Sequence, residues 1–320
     1  MNETCAPILG WLLTTAGSIQ DVPVPSIRDW KTTYDENAGN WPQPVDRAIS
    51  CGFLADRTAY AFLAGFLSAM QRLLPDLAAE KITAFCISEE GGAHPRAIKT
   101  RLERNSADSS GQTWLLNGRK QFITCANDAD SILVAASTGT DPEGRNQIHL
   151  AQIDRNAAGV RIEPMAELPF IPEISHGVVY LENVQVSNTQ LLPGDAYIKY
   201  IKPFRTIEDI HVSAAILGYL FRTASLYGWP QSIRETLLGL ITAIRPLAMA
   251  DPLSPQIHIA YVGLQWSIEQ LIKESTVHWE KTPDAVREAW KRDRAVMGIA
   301  SKAGQKRLES AWKPFSTKSL

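Results

Sequence analysis

Between residues 82 and 181 the sequence breaks into short runs of β character, at 82–87, 99–103, 114–116, 131–136, 147–153, 160–163 and 177–181. None is long enough for a stable helix, and turn residues separate them: Asn117-Gly118, Asp141-Pro142-Glu143-Gly144 and Ala158-Gly159. This spacing predicts a small antiparallel barrel or sandwich, with the Asn-Gly pair returning one strand antiparallel to the previous one.

The flanks follow a different period. Residues 57–74 are apolar at nearly every position and stop at Pro75, which predicts a largely buried helix. The stretch 30–44, punctuated by Trp and Pro, predicts no regular structure. Beyond the β region, helical patterning returns at 206–227, 232–249, 254–280 and 283–312. The breaks fall at Gly228-Trp229-Pro230, at Pro252 and Pro255, and at Thr282-Pro283, leaving lengths suited to an antiparallel bundle. The expected fold is therefore α+β and multidomain: an N-terminal α-helical domain (1–81), a middle antiparallel β-barrel (82–194) and a C-terminal four-helix bundle (195–320).

Charge narrows the partners. Thirty-two Lys and Arg against 34 Asp and Glu leave a net charge of -2, so nothing marks the chain for nucleic acid or an anionic membrane surface. A small molecule or a protein is the expected partner. Cys5, Cys51, Cys86 and Cys125 are scattered, without a CxxC pair or metal-ligand spacing, which fits reduced thiols and no metal site. The apolar stretch 6–14 has no basic residue before it, is interrupted at Pro7, and is too short to span a bilayer. A soluble, cytoplasmic protein is expected.

The segment Ala84-Phe85-Cys86-Ile87-Ser88-Glu89-Glu90-Gly91-Gly92-Ala93-His94-Pro95 is a strand that ends in a hydroxyl and enters a glycine-rich turn. Such a turn can set backbone N–H groups and an O–H against a planar ring and a phosphate-bearing chain, although it also serves as a plain strand end. Later comes Leu116-Asn117-Gly118-Arg119-Lys120-Gln121-Phe122-Ile123-Thr124, whose alternation places Phe122 and Thr124 on one face and Ile123 on the other. A third stretch, Ser175-His176-Gly177-Val178-Val179-Tyr180-Leu181-Glu182-Asn183-Val184-Gln185-Val186, leads to Leu191-Leu192-Pro193-Gly194. A fourth is Ala214-Ala215-Ile216-Leu217-Gly218.

Together these stretches resemble the acyl-CoA dehydrogenase family, whose motifs run Y-C-V-T-E-P-G-A-G-S-D, L-N-G-x-K-x-[WF]-I-T-N, T-x-x-L-x-F-x-x-V-x-V-P and A-A-x-x-L-G. The resemblance implies FAD, with Phe85, Ile87, Ser88, Phe122, Ile123 and Thr124 lining the flavin, Arg234 at the arginine position of the family's R-x-x-F-G, and Gly92 and His94 toward the acyl-CoA substrate. It also implies Glu208, ten residues before Gly218, as the carboxylate that takes the α-proton while the β-hydrogen leaves as hydride. The plainer reading makes Thr206 an N-cap and Glu208 a first-turn acid that complements the helix dipole, worth about 0.3–1 kcal/mol.

Departures from the pattern are as informative. Ala93, His94 and Pro95 replace the Gly-Ser-Asp end of the first motif, so the substrate-side contacts differ, and His94 is either a donor to a substrate oxygen or a loop histidine without a role. Leu237-Leu238 replaces Phe-Gly after Arg234, and the chain stops at Leu320, near where the family's Gly-Gly-x-Gly-Tyr segment and last helix would begin. The expected function is a flavin-dependent acyl-CoA dehydrogenase-like oxidoreductase, a homodimer with an electron-transfer partner. The alternatives are a non-catalytic homologue that has lost flavin and pairs with a complete dehydrogenase, or a flavin monooxygenase or oxidase on the same scaffold.

Overall fold

A computed structural model describes residues 6–298 and 301–316; Cys5 lies outside them. The chain divides into two compact units, one of residues 1–77, 169–171 and 204–320, the other of residues 78–168 and 172–203.

The second unit is a curled sheet of β1 (Thr83–Cys86), β2 (Arg101–Arg104), β3 (Thr113–Thr124), β4 (Ser131–Thr140), β5 (Asn146–Asp154), β6 (Val160–Pro164) and β7 (His176–Ser187). Its order is β1-β4-β2-β3-β7-β6, with β5 on β4. The sheet is mixed rather than purely antiparallel, because β4 pairs with β1 and, at one residue pair, with β2 in parallel. The reason is connectivity: residues 87–130, which carry β2 and β3, intervene between β1 and β4, and that length permits a crossover where a tight turn would not. Alternate residues of the strands, among them Leu116, Ile123, Val134, Ile153, Val179 and Leu181, meet in one apolar core.

Asn117-Gly118 is not the expected hairpin turn. β3 runs straight through it, and the pairing with β7 slips between Leu116 and Gly118. Gly118 takes φ 154°, and a Cβ there would stand 2.7 Å from Thr100 Cα. The Asn117 Oδ1 accepts the N–H of Asn183, itself at φ 52°, at 2.7 Å. Crowding by a neighbouring strand, not a reversal of the chain, is what selects this dipeptide, and the result is a bulge. The other two turn signals do form turns: Gly144 (φ 75°) sits between β4 and β5, and Gly159 (φ 88°) precedes β6.

The first unit is helical, with α1 (Ala6–Ala16), α2 (Ile27–Ala38), α3 (Pro44–Leu54), α4 (Thr58–Leu73), α5 (Lys202–Leu226), α6 (Gln231–Met249), α7 (Pro255–Glu274), α8 (Asp284–Asp293) and α9 (Ser301–Trp312). The stretch 30–44 is therefore partly helical, contrary to expectation. Ser26 caps α2 by accepting the Asp29 N–H at 3.2 Å, and Trp30 and Tyr34, one turn apart, bury a single face. Trp30 stacks on Tyr60 of α4 at 5.6 Å. The prolines at 42 and 44 mark only the loop and the first turn of α3.

The last two expected helices are each subdivided. After α7 a 3₁₀ run, Ser275–Lys281, leads to Pro283, and a second, Arg294–Gly298, separates α8 from α9. The Ala-Ala-Ile-Leu-Gly motif is a packing signature: a Cβ on Gly218 would lie 2.2 Å from Ile49 O, and one on Gly52 2.1 Å from Ala215 O. Hence α3 and α5 cross with their backbones in contact. A bidentate pair buried between α3 and α6, Arg245 to Asp46 at 2.6 and 2.7 Å, fixes a second crossing.

Candidate functional site

At the end of β3 the backbone is distorted. Phe122 (φ 60°) and Cys125 (φ 59°) both occupy the left-handed region, unusual for side chains of that size, and the β3–β7 register slips between Lys120 and Ile123. The simple two-residue alternation is lost there, yet the outcome for exposure resembles the expected one. Phe122 is 55% exposed and Ile123 is 1% exposed, with Thr124 half-buried. Several contacts hold the contour: Gln121 N–H to Ser88 O (2.9 Å), Phe122 N–H to Met165 Sδ (3.3 Å) and Cys125 N–H to Ser175 O (2.8 Å).

The first of these brings the two motifs together. Ser88, half-buried at the end of the β1 run, makes no hydrogen bond with its hydroxyl among the described residues, while Thr124 faces His176 Nε2 at 3.4 Å. Phe85 and Ile87, at 8% and 9% exposure, sit at the margin of the core, whereas Ile123 belongs to the core itself. An exposed aromatic ring beside an uncommitted hydroxyl fits a flat, heteroatom-bearing ring such as an isoalloxazine.

What sequence reasoning missed is the clamp beneath this rim. Lys120, fully buried, donates to Glu89 Oε1 at 2.7 Å and to Ile87 O at 3.2 Å. Glu89 further accepts the Lys99 N–H (2.8 Å), the Thr100 N–H (3.0 Å) and the Thr100 hydroxyl (2.8 Å). Burial raises the carboxyl of Glu89, but the Lys120 charge and these donors outweigh it and hold the group below its usual range. The signal was present as the Glu of Ser-Glu-Glu-Gly-Gly and the Lys of Asn-Gly-Arg-Lys, 31 residues apart.

The glycine-rich turn closes on itself through Glu89 and Gly92. Gly92 (φ 92°) donates its N–H to Glu89 O at 2.8 Å and accepts from Glu89 N at 3.1 Å. His94 is exposed, and its Nδ1 accepts the Arg96 N–H at 3.2 Å, so it caps its own short 3₁₀ turn.

In the helical unit, α5 begins at Lys202 with Pro203 in its first turn, a position that needs no donor. Thr206 is therefore inside the helix and buried, not an N-cap, and Glu208 is not in a first turn where the dipole would act on it. Glu208 is half-buried and makes no hydrogen bond among the described residues. Burial lifts its carboxyl to about 8, helped by the neighbouring Asp209 and opposed by Arg205 and Arg307.

Asp209 is also raised, chiefly by burial, though Arg307 on α9 pairs with it at 2.5 Å. Tyr261 of α7 donates to Asp209 O at 2.7 Å, accepts from Gln265 Nε2 at 3.1 Å, and lies 2.8 Å from Ser213 Oγ. Thus α7 and α9 both tether the turn of α5 that carries Glu208. Arg234, half-buried in α6, has an Nε covered from solvent without a partner among the described residues. Among the described residues no cluster of three or more His, Cys, Asp or Glu forms a metal site, and no helix is long and apolar enough to cross a membrane.

The family model described as "Acyl-CoA dehydrogenase, middle domain" matches residues 84–184. The short/branched chain specific acyl-CoA dehydrogenase of Rattus norvegicus mitochondria is 36% identical over 148 residues, 45% of this chain and 33% of that protein. The chain thus spans about a third of the length of the curated relatives it matches. The fold extends further. Butyryl-CoA dehydrogenase from Megasphaera elsdenii superposes with TM-score 0.65 at 15% identity, over 83% of this chain and 80% of that one. The prolyl acyl carrier protein oxidase AnaB gives TM-score 0.71 at 14% identity, over 99% and 100%.

Proposed function

We propose that this chain, whose residues 84–184 match the middle domain of the acyl-CoA dehydrogenase family, is a flavin-dependent oxidoreductase that uses FAD to oxidise a thioester-activated acyl group. The observation that carries this reading is the rim of Ser88, Phe122 and Thr124, an exposed ring and hydroxyls on a backbone held in two left-handed residues. FAD, when bound, supplies the hydride acceptor. Phe85 and Ile87 give an apolar margin, and the Lys120–Glu89 clamp keeps Ser88 and Phe122 at fixed spacing.

Arg234 brings a buried, unsatisfied N–H donor, which a phosphate oxygen would satisfy. Glu208 takes the substrate's α-proton. A carboxyl lifted to about 8 by burial is a stronger base once ionised than an ordinary glutamate, and Arg205 and Arg307 supply the positive field that lets it ionise. Tyr261 and Arg307 act through Asp209 to position it.

One observation favours a second reading, a flavin oxidase or monooxygenase whose substrate carries no CoA. The Gly92 N–H is already spent within its turn, so it is not held ready for a CoA-borne oxygen. A single experiment separates the two. The purified protein is loaded with FAD and its flavin absorbance followed anaerobically against a panel of acyl-CoA thioesters. Bleaching supports the dehydrogenase; an unbleached flavin that turns over only with oxygen and a non-CoA substrate supports the oxidase.

A further inference from the structure

Thr124 and His176 face each other as a cross-strand pair of β3 and β7. The Nδ1 of His176 lies 3.0 Å from Ile174 O, an atom that can only accept, so Nδ1 carries the proton. Burial holds the imidazole below its usual range, in keeping with a neutral ring. A neutral imidazole has one N–H, which leaves Nε2 bare. The Thr124 Oγ1, 3.4 Å from Nε2, must then be the donor of that pair.

A hydroxyl has a single proton. We propose that His176 is a positioning residue that holds the Thr124 proton on its own side, so that the rim offers an incoming ring an acceptor and not a donor. The ring it prefers is one that presents N–H. Resting on the flavin reading above, this deepens it: reduction converts a flavin ring nitrogen from acceptor to donor, so the pair favours the reduced over the oxidised cofactor. The location supports such a role. Left-handed Phe122 and Cys125 flank Ile123-Thr124, a strained contour that an ordinary strand end does not require.

Two measurements on the full chain test this. In the cofactor-free protein labelled with ¹⁵N-histidine, long-range ¹H–¹⁵N spectra should show His176 protonated at Nδ1 and bare at Nε2, with the Nε2 signal moving in Thr124→Val. The Nε2–H tautomer would overturn the proposal. With FAD, the ratio of dissociation constants, oxidised over reduced, should fall roughly threefold to tenfold in His176→Val, the range of one net hydrogen bond. It should not change when His176→Val is added to Thr124→Val. A purely structural His176 would shift both dissociation constants together, and an unchanged ratio would also overturn the proposal. Failure of the wild-type protein to take up FAD would remove the flavin reading alone, and the tautomer spectra would still decide what His176 does to Thr124.

Discussion

Glu208 illustrates how a residue's neighbours, more than its identity, set its chemistry. With its carboxyl lifted to about 8, it is largely protonated at neutral pH. As the base we propose, it works only when ionised, so the proposed dehydrogenation should quicken as pH rises through about 8, and Glu208→Gln should slow it about 10²- to 10⁴-fold with FAD affinity unchanged. Stability should run the other way. The folded state holds a proton that the unfolded chain releases near 4.5, so stability is lost as pH rises from there through about 8. Melting curves across that window should slope downward for the wild type and flatten in Glu208→Gln; equal slopes would refute the shift. Sequence placed Glu208 by counting back from Gly218, but it put the residue in a first turn, because Pro203 ahead of it gave no sign that the helix had already begun.

The Lys120–Glu89 pair was illegible for a different reason. A lysine followed by alternating residues reads as a solvent-facing position, and only the bulge at Phe122 reveals that it points inward. Removing one partner of a buried pair strands the other, at a cost of about 3–5 kcal/mol. Glu89→Ala should therefore depress the melting temperature strongly and loosen the rim. A surface-like effect, within about 0.5 kcal/mol of wild type, would show that the clamp carries no load.

Elements were read most reliably where one chemistry has one outcome. The apolar run before Pro75 became α4, and the Asp-Pro-Glu-Gly segment became the β4–β5 turn. Asn117-Gly118 failed because glycine answers two needs, a left-handed turn and the close approach of another backbone, and here Thr100 supplied the second. The same ambiguity concealed the reason for Gly218, which motif matching identified and backbone packing explains. Gly218→Ala should push Ile49 aside where α3 and α5 cross, destabilising by about 1–3 kcal/mol in chemical denaturation. A neutral result would mean that the crossing yields easily.

At the scale of the whole molecule, the helical–β–helical order was plain from periodicity, but the pairing of distant helices was not. Nothing in the patterning of α3 announces that Asp46 will meet Arg245 of α6, or that Phe53 will lie 6.0 Å from Phe221 of α5. Periodicity tells which face is buried and not against what.

The most direct measurement is equilibrium dialysis of the purified chain against FAD, read by absorbance in the flavin region. The account predicts stoichiometric uptake that Phe122→Asp abolishes while the fold, followed by circular dichroism, is retained. A protein that stays colourless in excess FAD would contradict it.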